Sequence, residues 1–392
     1  MFFNMRAKLP KKVQMLELLA RDGIQHARKF IPTETKVAFI EQFIAAGFTA
    51  VEVTNFAHPK FSPQNRDAEE VLKMVWQFEP VKRGNVQLKC YGMTKKAFER
   101  AADCAQKGFP PHSVAFTIST EDLHCERNAG RTREEYFEDI PTLVRIAREN
   151  GFEPDMAIAC VYGSPIAGPV PIENTIELIE RGLDLGIRRF TPCDTTGESN
   201  PLRTYEYMST LVDRFSKYDD ISFKVAHFHD ARGMALANYI AAILAGADII
   251  ETSLGQLGGQ PSFIVDDVPG IGSGPIYTNS DIVGNASTED MLVMLDEMGI
   301  DTGVDTEKVL QLGRVLEWVM EEKLRPYCTK SGRPVQQPVE WSIPTRSMEH
   351  IPPYKEVYWA HPDKYKPASA SFIAKEFEGR KLRWDPWQEK LK

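Results

Sequence analysis

The sequence predicts an α/β fold, a (β/α)8 TIM barrel with an irregular C-terminal extension, and three observations lead to it. Strand-like segments recur about every 30 to 40 residues, eight within roughly 250 residues, each followed by a helical pattern that is delayed after the last. No G-x-G-x-x-G motif follows the first strand, which disfavours a doubly wound open sheet. Charged and polar side chains gather at the strand ends, where barrel enzymes carry their active sites.

The individual elements follow from local patterns. Apolar, β-branched runs bounded by turn residues predict strands at Val13–Leu19, Ala50–Phe56, Val86–Tyr91, Ser113–Ser119, Asp155–Val161, Arg189–Thr195, Ser222–Phe228 and Ile249–Leu254. Apolar residues at helical spacing predict helices between Pro32 and Gly47 and at Ala68–Gln77, Lys95–Lys107, Arg133–Asn150, Ile172–Leu185, Leu202–Phe215 and Met234–Leu244. Because strands and helices alternate, we expect parallel strands joined by right-handed crossovers.

The chain changes character after the eighth strand. Gln256–Gly284 is a Gly- and Pro-rich loop of unusual length, followed by helices predicted at Thr288–Met298 and Thr306–Lys323. Leu324–Lys392 combines many prolines with four tryptophans and little periodicity, and its aromatic content argues against simple disorder. We therefore predict a catalytic barrel over residues 1–303. Residues 304–392 are expected to form a helix and an extended arm that packs on the barrel or on a neighbouring subunit of a homodimer or homotetramer.

The composition disfavours several classes of function. The 42% hydrophobic and 26% charged content is ordinary for a globular enzyme, and a net charge of -8 argues against nucleic acid as the main partner. No apolar run approaches the ~20 residues needed to span a bilayer, and the N-terminal residues lack the apolar core of a secretory signal. The six cysteines are scattered without C-x-x-C spacing, which fits reduced thiols and predicts a cytoplasmic protein.

Polar side chains stand at the predicted carboxyl ends of most strands. A buried core alone would not place charged groups at four of these ends, so we expect the residues to form one site at the barrel mouth. They are Arg21, Asp22, Glu52, Thr54, Asn55, Tyr91, Thr117, Ser119, Asp194, His227, His229 and Thr252.

His227 and His229 are the centre of this site, because side chains two residues apart in a strand point to the same face. An H-x-H pair alone fits half of a metal site, or two ordinary histidines of which one is bonded in the core and one is solvated. Asp22, across the eighth strand, adds a carboxylate. With a neutral oxygen and waters, this set suits Mg2+, Mn2+ or Co2+, and Zn2+ also fits. Arg21 either forms a structural ion pair with Asp22 or presents its guanidinium to a carboxylate or enolate oxygen.

Five motifs recur in order and at suitable spacing over Val13–Asp305. They are Arg21-Asp22-Gly23-x-Gln25, Glu52-x-Thr54, Asp194-Thr-x-Gly197, His227-x-His229-Asp230 and Gly284-Asn285-Ala-Ser-Thr-Glu289-Asp290. Together they resemble the 3-hydroxy-3-methylglutaryl-CoA lyase family, which belongs to a larger group of metal-dependent barrel lyases and Claisen-type condensing enzymes.

The resemblance implies a role for each matching position. Asp22, His227, His229 and Asn285 would bind the metal, and Arg21 would stabilise the enolate formed when the carbon–carbon bond breaks. Glu52 and Asp194 would orient ligands and the substrate hydroxyl, and His227 would also move protons. The expected substrate-binding residues are Gln25, Thr54, Asn55, Thr195 and Gln260.

The sequence also departs from the family pattern. Gly258-Gly259 is followed by Gln260, where the lyases carry a catalytic cysteine, and glutamine cannot act as a thiol acid or base. A family lysine after the first strand corresponds approximately to Arg28, and a tyrosine of the fifth strand to Ala157. The extra segment before Asn285 contains Asp266, Asp267, Tyr277 and Asn279, any of which is a candidate for the missing proton transfer.

Three functions are consistent with these motifs. The favoured hypothesis is a metal-dependent lyase that cleaves a hydroxyacyl-CoA into acetyl-CoA and a keto product. A condensing enzyme of the citramalate or isopropylmalate synthase type, or an aldolase acting on a free hydroxy acid, shares the opening motif and the histidine pair. A barrel that has lost catalysis and serves as a scaffold is the third hypothesis, and the complete ligand set argues against it.

Overall fold

The computed structural model describes residues 5–25, 27, 29–259, 264–265, 268–269 and 284–334. The barrel lies in one compact unit, Met1–Arg333, and the second unit, Pro334–Lys392, is outside the described residues except for Pro334. The predicted arm therefore lies outside the described residues. The predicted domain boundary after residue 303 stays a prediction.

Eight parallel strands form a closed barrel. They are β1 (Gln14–Glu17), β2 (Ala50–Asn55), β3 (Gln87–Tyr91), β4 (Ser113–Ser119), β5 (Glu153–Ala159), β6 (Arg189–Asp194), β7 (Val225–Phe228) and β8 (Ile249–Thr252). Each strand pairs with its neighbours in sequence, and β1 pairs with both β2 and β8 to close the ring. The predicted (β/α)8 barrel is confirmed.

The helices cover the outside of the barrel, because each has one apolar face that it buries against the strands. Those that follow β1 to β8 in turn are Thr33–Ala45, Ala68–Val75, Lys95–Gln106, Arg133–Glu149, Ile172–Asp184, Pro201–Phe215, Ala235–Leu244 and Thr288–Met298. Phe43, Leu143 and Leu211 are fully buried members of this layer. Thr306–Met320 follows and ends earlier than predicted, because Glu321 adopts a left-handed conformation.

Several short elements were not predicted. They are the helices Leu19–Gly23 (π-type), Glu79–Lys82, Asp122–Ala129 and Cys328–Ser331, the 3-10 turns Met5–Lys8, Pro63–Asn65 and Leu254–Gln256, and the paired strands Gly163–Ser164 with Gly168–Pro169 and Ile264–Val265 with Val268–Pro269. The π-turn matters most for the site, since it follows β1 directly and contains Arg21 and Asp22. Within the described ranges, every helix is too short or too polar to traverse a lipid bilayer.

Candidate active site

Two histidines, His227 in β7 and His229 just after it, face each other at the barrel mouth. His227 Nε2 and His229 Nε2 are 3.0 Å apart, while the Nδ1 atoms point away. Nδ1 of His227 lies 2.9 Å from a carboxylate oxygen of Glu251, and Nδ1 of His229 lies 2.6 Å from the carbonyl oxygen of Thr195. Both rings are more than nine-tenths buried, so these contacts set their orientation.

The Nδ1 contacts determine which nitrogen of each ring carries the proton. A backbone carbonyl can only accept a hydrogen bond, so Nδ1 of His229 must donate. Burial alone would raise the pKa of Glu251, but the charge of Lys89 and the bond to His227 outweigh it and hold that pKa well below its usual range. Glu251 is therefore a carboxylate that accepts from Nδ1 of His227. The Nε2 atom of His229 is left with a lone pair directed at His227 Nε2.

Two lone pairs 3.0 Å apart repel unless a proton or a metal cation lies between them. Burial is the main cause that lowers the pKa of His229 to about 4, and the neighbouring His227 adds to it. The ring of His229 is therefore uncharged near neutral pH. The separation of 3.0 Å equals that of two adjacent ligands about 2.1 Å from an octahedral cation, which is about 3.0 Å. The nitrogen pair thus has the spacing that a divalent cation requires.

Asp22 supplies the carboxylate beside this pair. Its Oδ2 accepts hydrogen bonds from the backbone N–H of Gly259 at 3.2 Å and from the side-chain amide of Asn285, and its Oδ1 lies 3.2 Å from Arg21 Nη1. Burial would raise the pKa of Asp22, but the charge of Arg21 and the hydrogen bond from Asn285 contribute to lowering it below the usual value. Asp22 is therefore an anion at the mouth.

Asn285 completes the predicted ligand set. It forms an antiparallel bridge with His229, and its Nδ2 donates to Asp22 and to the carbonyl oxygen of Leu257 at 3.0 Å. Its Oδ1 is buried and accepts no hydrogen bond from any described residue. A buried amide oxygen without a partner is unfavourable by about 1–3 kcal/mol, and a cation would satisfy it.

The four predicted ligands are linked by contacts at the mouth, since His227 contacts His229, His229 bridges to Asn285, and Asn285 donates to Asp22. They offer two imidazole nitrogens, one carboxylate and one amide oxygen. This donor set suits a cation of intermediate hardness. As the side chains lie, no three His, Cys, Asp or Glu residues of the described ranges converge closely enough to form a metal cluster. The carboxylate of Asp22 is instead engaged by Arg21, Asn285 and Gly259.

The guanidinium of Arg21 is held by two contacts with the carboxylate of Glu52. Its Nε lies 2.6 Å from Glu52 Oε2 and its Nη2 donates to Glu52 Oε1 at 2.9 Å. Its Cζ lies 4.5 Å from the ring centroid of Tyr91, whose hydroxyl donates to Thr117 at 2.7 Å. Burial raises the pKa of Glu52, and the charge of Arg21 offsets that only in part. Glu52 and Tyr91 thus fix the position of the Arg21 guanidinium.

Asp194 and Thr195 shape the loop after β6. The carboxylate of Asp194 accepts backbone N–H bonds from Glu198 at 2.8 Å and Ser199 at 3.1 Å, and burial raises its pKa to about 6. The Thr195 hydroxyl accepts from the backbone N–H of Cys160 at 2.9 Å, and its carbonyl holds His229. The predicted contacts of both residues with substrate stay predictions.

The other predicted substrate-binding residues are only partly described. Thr54 and Asn55 are buried at the end of β2, and Asn55 Oδ1 accepts from the backbone N–H of Ala57 at 2.8 Å. The backbone N–H of Gln25 donates to the carbonyl of Asp22 at 3.2 Å. Gln260 lies outside the described residues, as do Arg28, Asp266, Asp267, Tyr277 and Asn279.

Sequence reasoning missed three buried charges below the histidines. Lys89 Nζ lies 2.8 Å from Glu251 Oε1 and 3.1 Å from Asp155 Oδ2, and Glu251 Oε2 contacts His227. These side chains come from β3, β5 and β8, and each is at most 5% exposed. A charged residue inside an otherwise apolar strand was the available signal, visible in Leu88-Lys89-Cys90 and Ile250-Glu251-Thr252.

Comparison with known proteins extends this picture. The HMGL-like family model matches residues 12–316, about three quarters of the chain. The chain belongs to the HMGL-like family. A hydroxymethylglutaryl-CoA lyase of Bacillus subtilis is 31% identical over 320 residues, covering 81% of this chain and 95% of that protein. The mitochondrial enzyme of the same name from Bos taurus is 28% identical, covering 78% of this chain and 84% of its own length.

A solved structure agrees with these relatives. The HMG-CoA lyase of Acinetobacter baumannii, in complex with coenzyme A and 3-methylmalate, superposes with a TM-score of 0.71 at 26% identity. The match covers 86% of this chain and all of that one. The predicted resemblance, the barrel fold and the assignment as an HMG-CoA lyase-like enzyme are thereby confirmed.

Proposed function

We propose that this HMGL-like protein is a divalent-metal-dependent lyase that cleaves the carbon–carbon bond of an HMG-CoA-like 3-hydroxyacyl-CoA. The observation that carries the proposal is the pair of Nε2 atoms in His227 and His229, which lie 3.0 Å apart, together with the buried, unpartnered Oδ1 of Asn285. The family supports the reaction class. Coenzyme A with a small hydroxy acid in the Acinetobacter enzyme supports the substrate class.

In this proposal Asp22, His227, His229 and Asn285 hold the cation. Mg2+ or Mn2+ fits the mixed nitrogen and oxygen donors best, and Co2+ or Zn2+ also fits. When bound, such a cation polarises the hydroxyl and carboxylate oxygens of a substrate and so lowers the cost of forming an alkoxide. Because Nδ1 of His227 is occupied by Glu251, ligation and the predicted proton transfer would compete for Nε2. The proposal assigns Nε2 to the metal.

The cleavage reaction creates an enolate, whose negative charge needs a cationic group such as Arg21. A general base takes the proton of the C3 hydroxyl, the C2–C3 bond breaks, its electron pair moves to C2 to form the thioester enolate, and C3 becomes a ketone. A proton then adds to C2 and gives acetyl-CoA. We assign stabilisation of the negative enolate oxygen to the guanidinium of Arg21, which Glu52 orients.

The experiment that tests this function uses the metal-loaded, full-length protein. It is incubated with a panel of hydroxyacyl-CoAs and free hydroxy acids, and products are identified by mass spectrometry. A lyase releases acetyl-CoA and a keto product from an HMG-CoA-like thioester. A parallel reaction with acetyl-CoA and keto acids tests the condensing enzyme, and an absence of product in both arms would support the scaffold. The cytoplasmic location and the homo-oligomer remain predictions.

A further inference from the structure

A buried chain of charges lies beneath the histidine pair. Lys89 sits between the carboxylates of Asp155 at 3.1 Å and Glu251 at 2.8 Å, and the second oxygen of Glu251 contacts His227 Nδ1 at 2.9 Å. The side chains come from three different strands and cross the barrel interior. Glu251 and His227 are also paired in the ladder of β7 and β8, which fixes their relative height.

We propose that Lys89 and Glu251 are positioning residues that hold His227 with its proton on Nδ1 and its Nε2 lone pair free for the divalent cation. This inference rests on the proposed function, because it concerns the same metal site. Its basis is the polarity of the hydrogen bonds. A lysine ammonium only donates, so it requires an oxygen at the Oε1 position of residue 251. A carboxylate has an oxygen at both positions, so Oε2 accepts from His227 as well.

The orientation of the Glu251 carboxylate is determined from both ends of this row of buried charges. Asp155 holds the far side of Lys89, so the ammonium cannot easily turn away from Glu251. Lys89, Asp155 and Glu251 are each at most 5% exposed, so water does not substitute readily for a lost partner. A carboxylate behind a metal-binding histidine raises the basicity of the ring and orients it.

The sharpest perturbation is Glu251→Gln, which keeps the shape of the side chain. Lys89 still requires an oxygen at the first position, so the amide nitrogen must face Nδ1 of His227. An amide NH2 only donates, and Nδ1 would then have to accept, with the ring proton moved to Nε2. We expect Mn2+ binding, measured by electron paramagnetic resonance titration of the full-length protein, to weaken about 10- to 100-fold.

The double variant Lys89→Met/Glu251→Gln separates positioning from general damage. Without the lysine, the amide of residue 251 can turn its oxygen towards His227 and restore the proton to Nδ1. We therefore expect the double variant to bind Mn2+ more tightly than Glu251→Gln alone, although it carries one more buried substitution. A merely structural role predicts the reverse order, because two lesions in one buried network would add.

Lys36→Met is the matched control. Lys36 is also a buried lysine and pairs with the carboxylate of Asp67 at 2.7 Å in the outer helix layer, so its loss should leave Mn2+ affinity unchanged. Circular dichroism confirms folding of each variant. If Glu251→Gln does not fold, the Mn2+ affinities of Lys89→Met and Lys36→Met are compared instead. The inference predicts weaker Mn2+ binding for Lys89→Met only. Wild-type affinity in Glu251→Gln, or a double variant weaker than the single one, overturns the inference. A wild-type protein that binds no Mn2+ overturns the proposed function instead.

Discussion

Replacing Arg21 by methionine tests whether this side chain acts on the transition state. The side chain has 13% exposure, and its guanidinium makes contacts of 2.6 and 2.9 Å with Glu52 and 3.2 Å with Asp22. Loss of one donor to a developing oxyanion reduces kcat by about 100- to 1000-fold, or about 2.7–4 kcal/mol. If Arg21 serves the enolate, kcat should fall by this amount while KM changes only a few-fold.

The same substitution also removes the partner of a buried carboxylate, so stability must be measured separately. Breaking a buried ion pair by removing one partner destabilises a protein by about 3–5 kcal/mol. Glu52 can lessen this loss by taking up a proton, because burial already raises its pKa. In Arg21→Met/Glu52→Gln the unpaired carboxylate is absent, and we expect the melting temperature to recover in part while kcat does not.

The assay is steady-state kinetics with HMG-CoA, with acetyl-CoA followed by mass spectrometry, beside thermal unfolding of each variant. Glu52→Gln alone retains the charge of Arg21 and is the reference for the double variant. Three results would refute the reasoning: a kcat within tenfold of the wild type, a rise in KM as large as the fall in kcat, or recovery of kcat together with stability in the double variant. The last would show that Arg21 acts only through folding.

Three further predictions address the metal, the pH dependence and the backbone. His229→Ala should lose bound metal, measured by mass spectrometry after gel filtration, while its circular dichroism stays unchanged; full metal content would exclude His229 as a ligand. Burial raises the pKa of Glu289 from 4.5 to about 8, so the folded state retains a proton that the unfolded state releases, and stability falls as pH rises through that window. Glu289→Gln should therefore reduce the fall of the melting temperature between pH 5 and 8. Parallel curves of melting temperature against pH for the variant and the wild type would contradict this. Gly258→Ala should abolish metal binding, because its Cβ would lie 2.3 Å from the carbonyl oxygen of Asp22. Gly84→Ala, with similar φ but no atom within 4 Å of its Cβ, should lose only about 1–2 kcal/mol of stability.

The barrel was predictable because its signals are local and repeated. The predicted strands β2, β4 and β6 agree with the structure to within one residue at each end, since apolar runs bounded by turns are a short-range pattern. The helix Asp122–Ala129 was missed because its sequence is mostly polar and carries little apolar period. It is stabilised by Glu121, which caps its first turn, and ends at Gly130 in a left-handed conformation.

The mouth residues were predictable for a different reason, since the fold class itself says that strand ends meet. This reasoning placed Asp22, His227 and His229 at one mouth, whereas Asn285, which contacts Asp22 and His229, was predicted from the family resemblance. The contacts below them were not predictable, because Lys89 and Glu251 are 162 residues apart and meet only across the closed barrel. A pattern along one strand indicates which face a side chain occupies and does not identify its partner on the opposite wall.

The buried charges argue for a site rather than for stability. A barrel interior is ordinarily filled by branched apolar side chains, and replacing a buried ion pair by such residues is often neutral or stabilising. Lys89, Asp155 and Glu251 therefore bring little net free energy of folding that Leu or Val could not supply. What apolar residues cannot supply is a hydrogen-bond acceptor at His227 Nδ1, which is the contact that leaves Nε2 free. The desolvation of these groups is thus better understood as a cost of orienting one imidazole at the mouth.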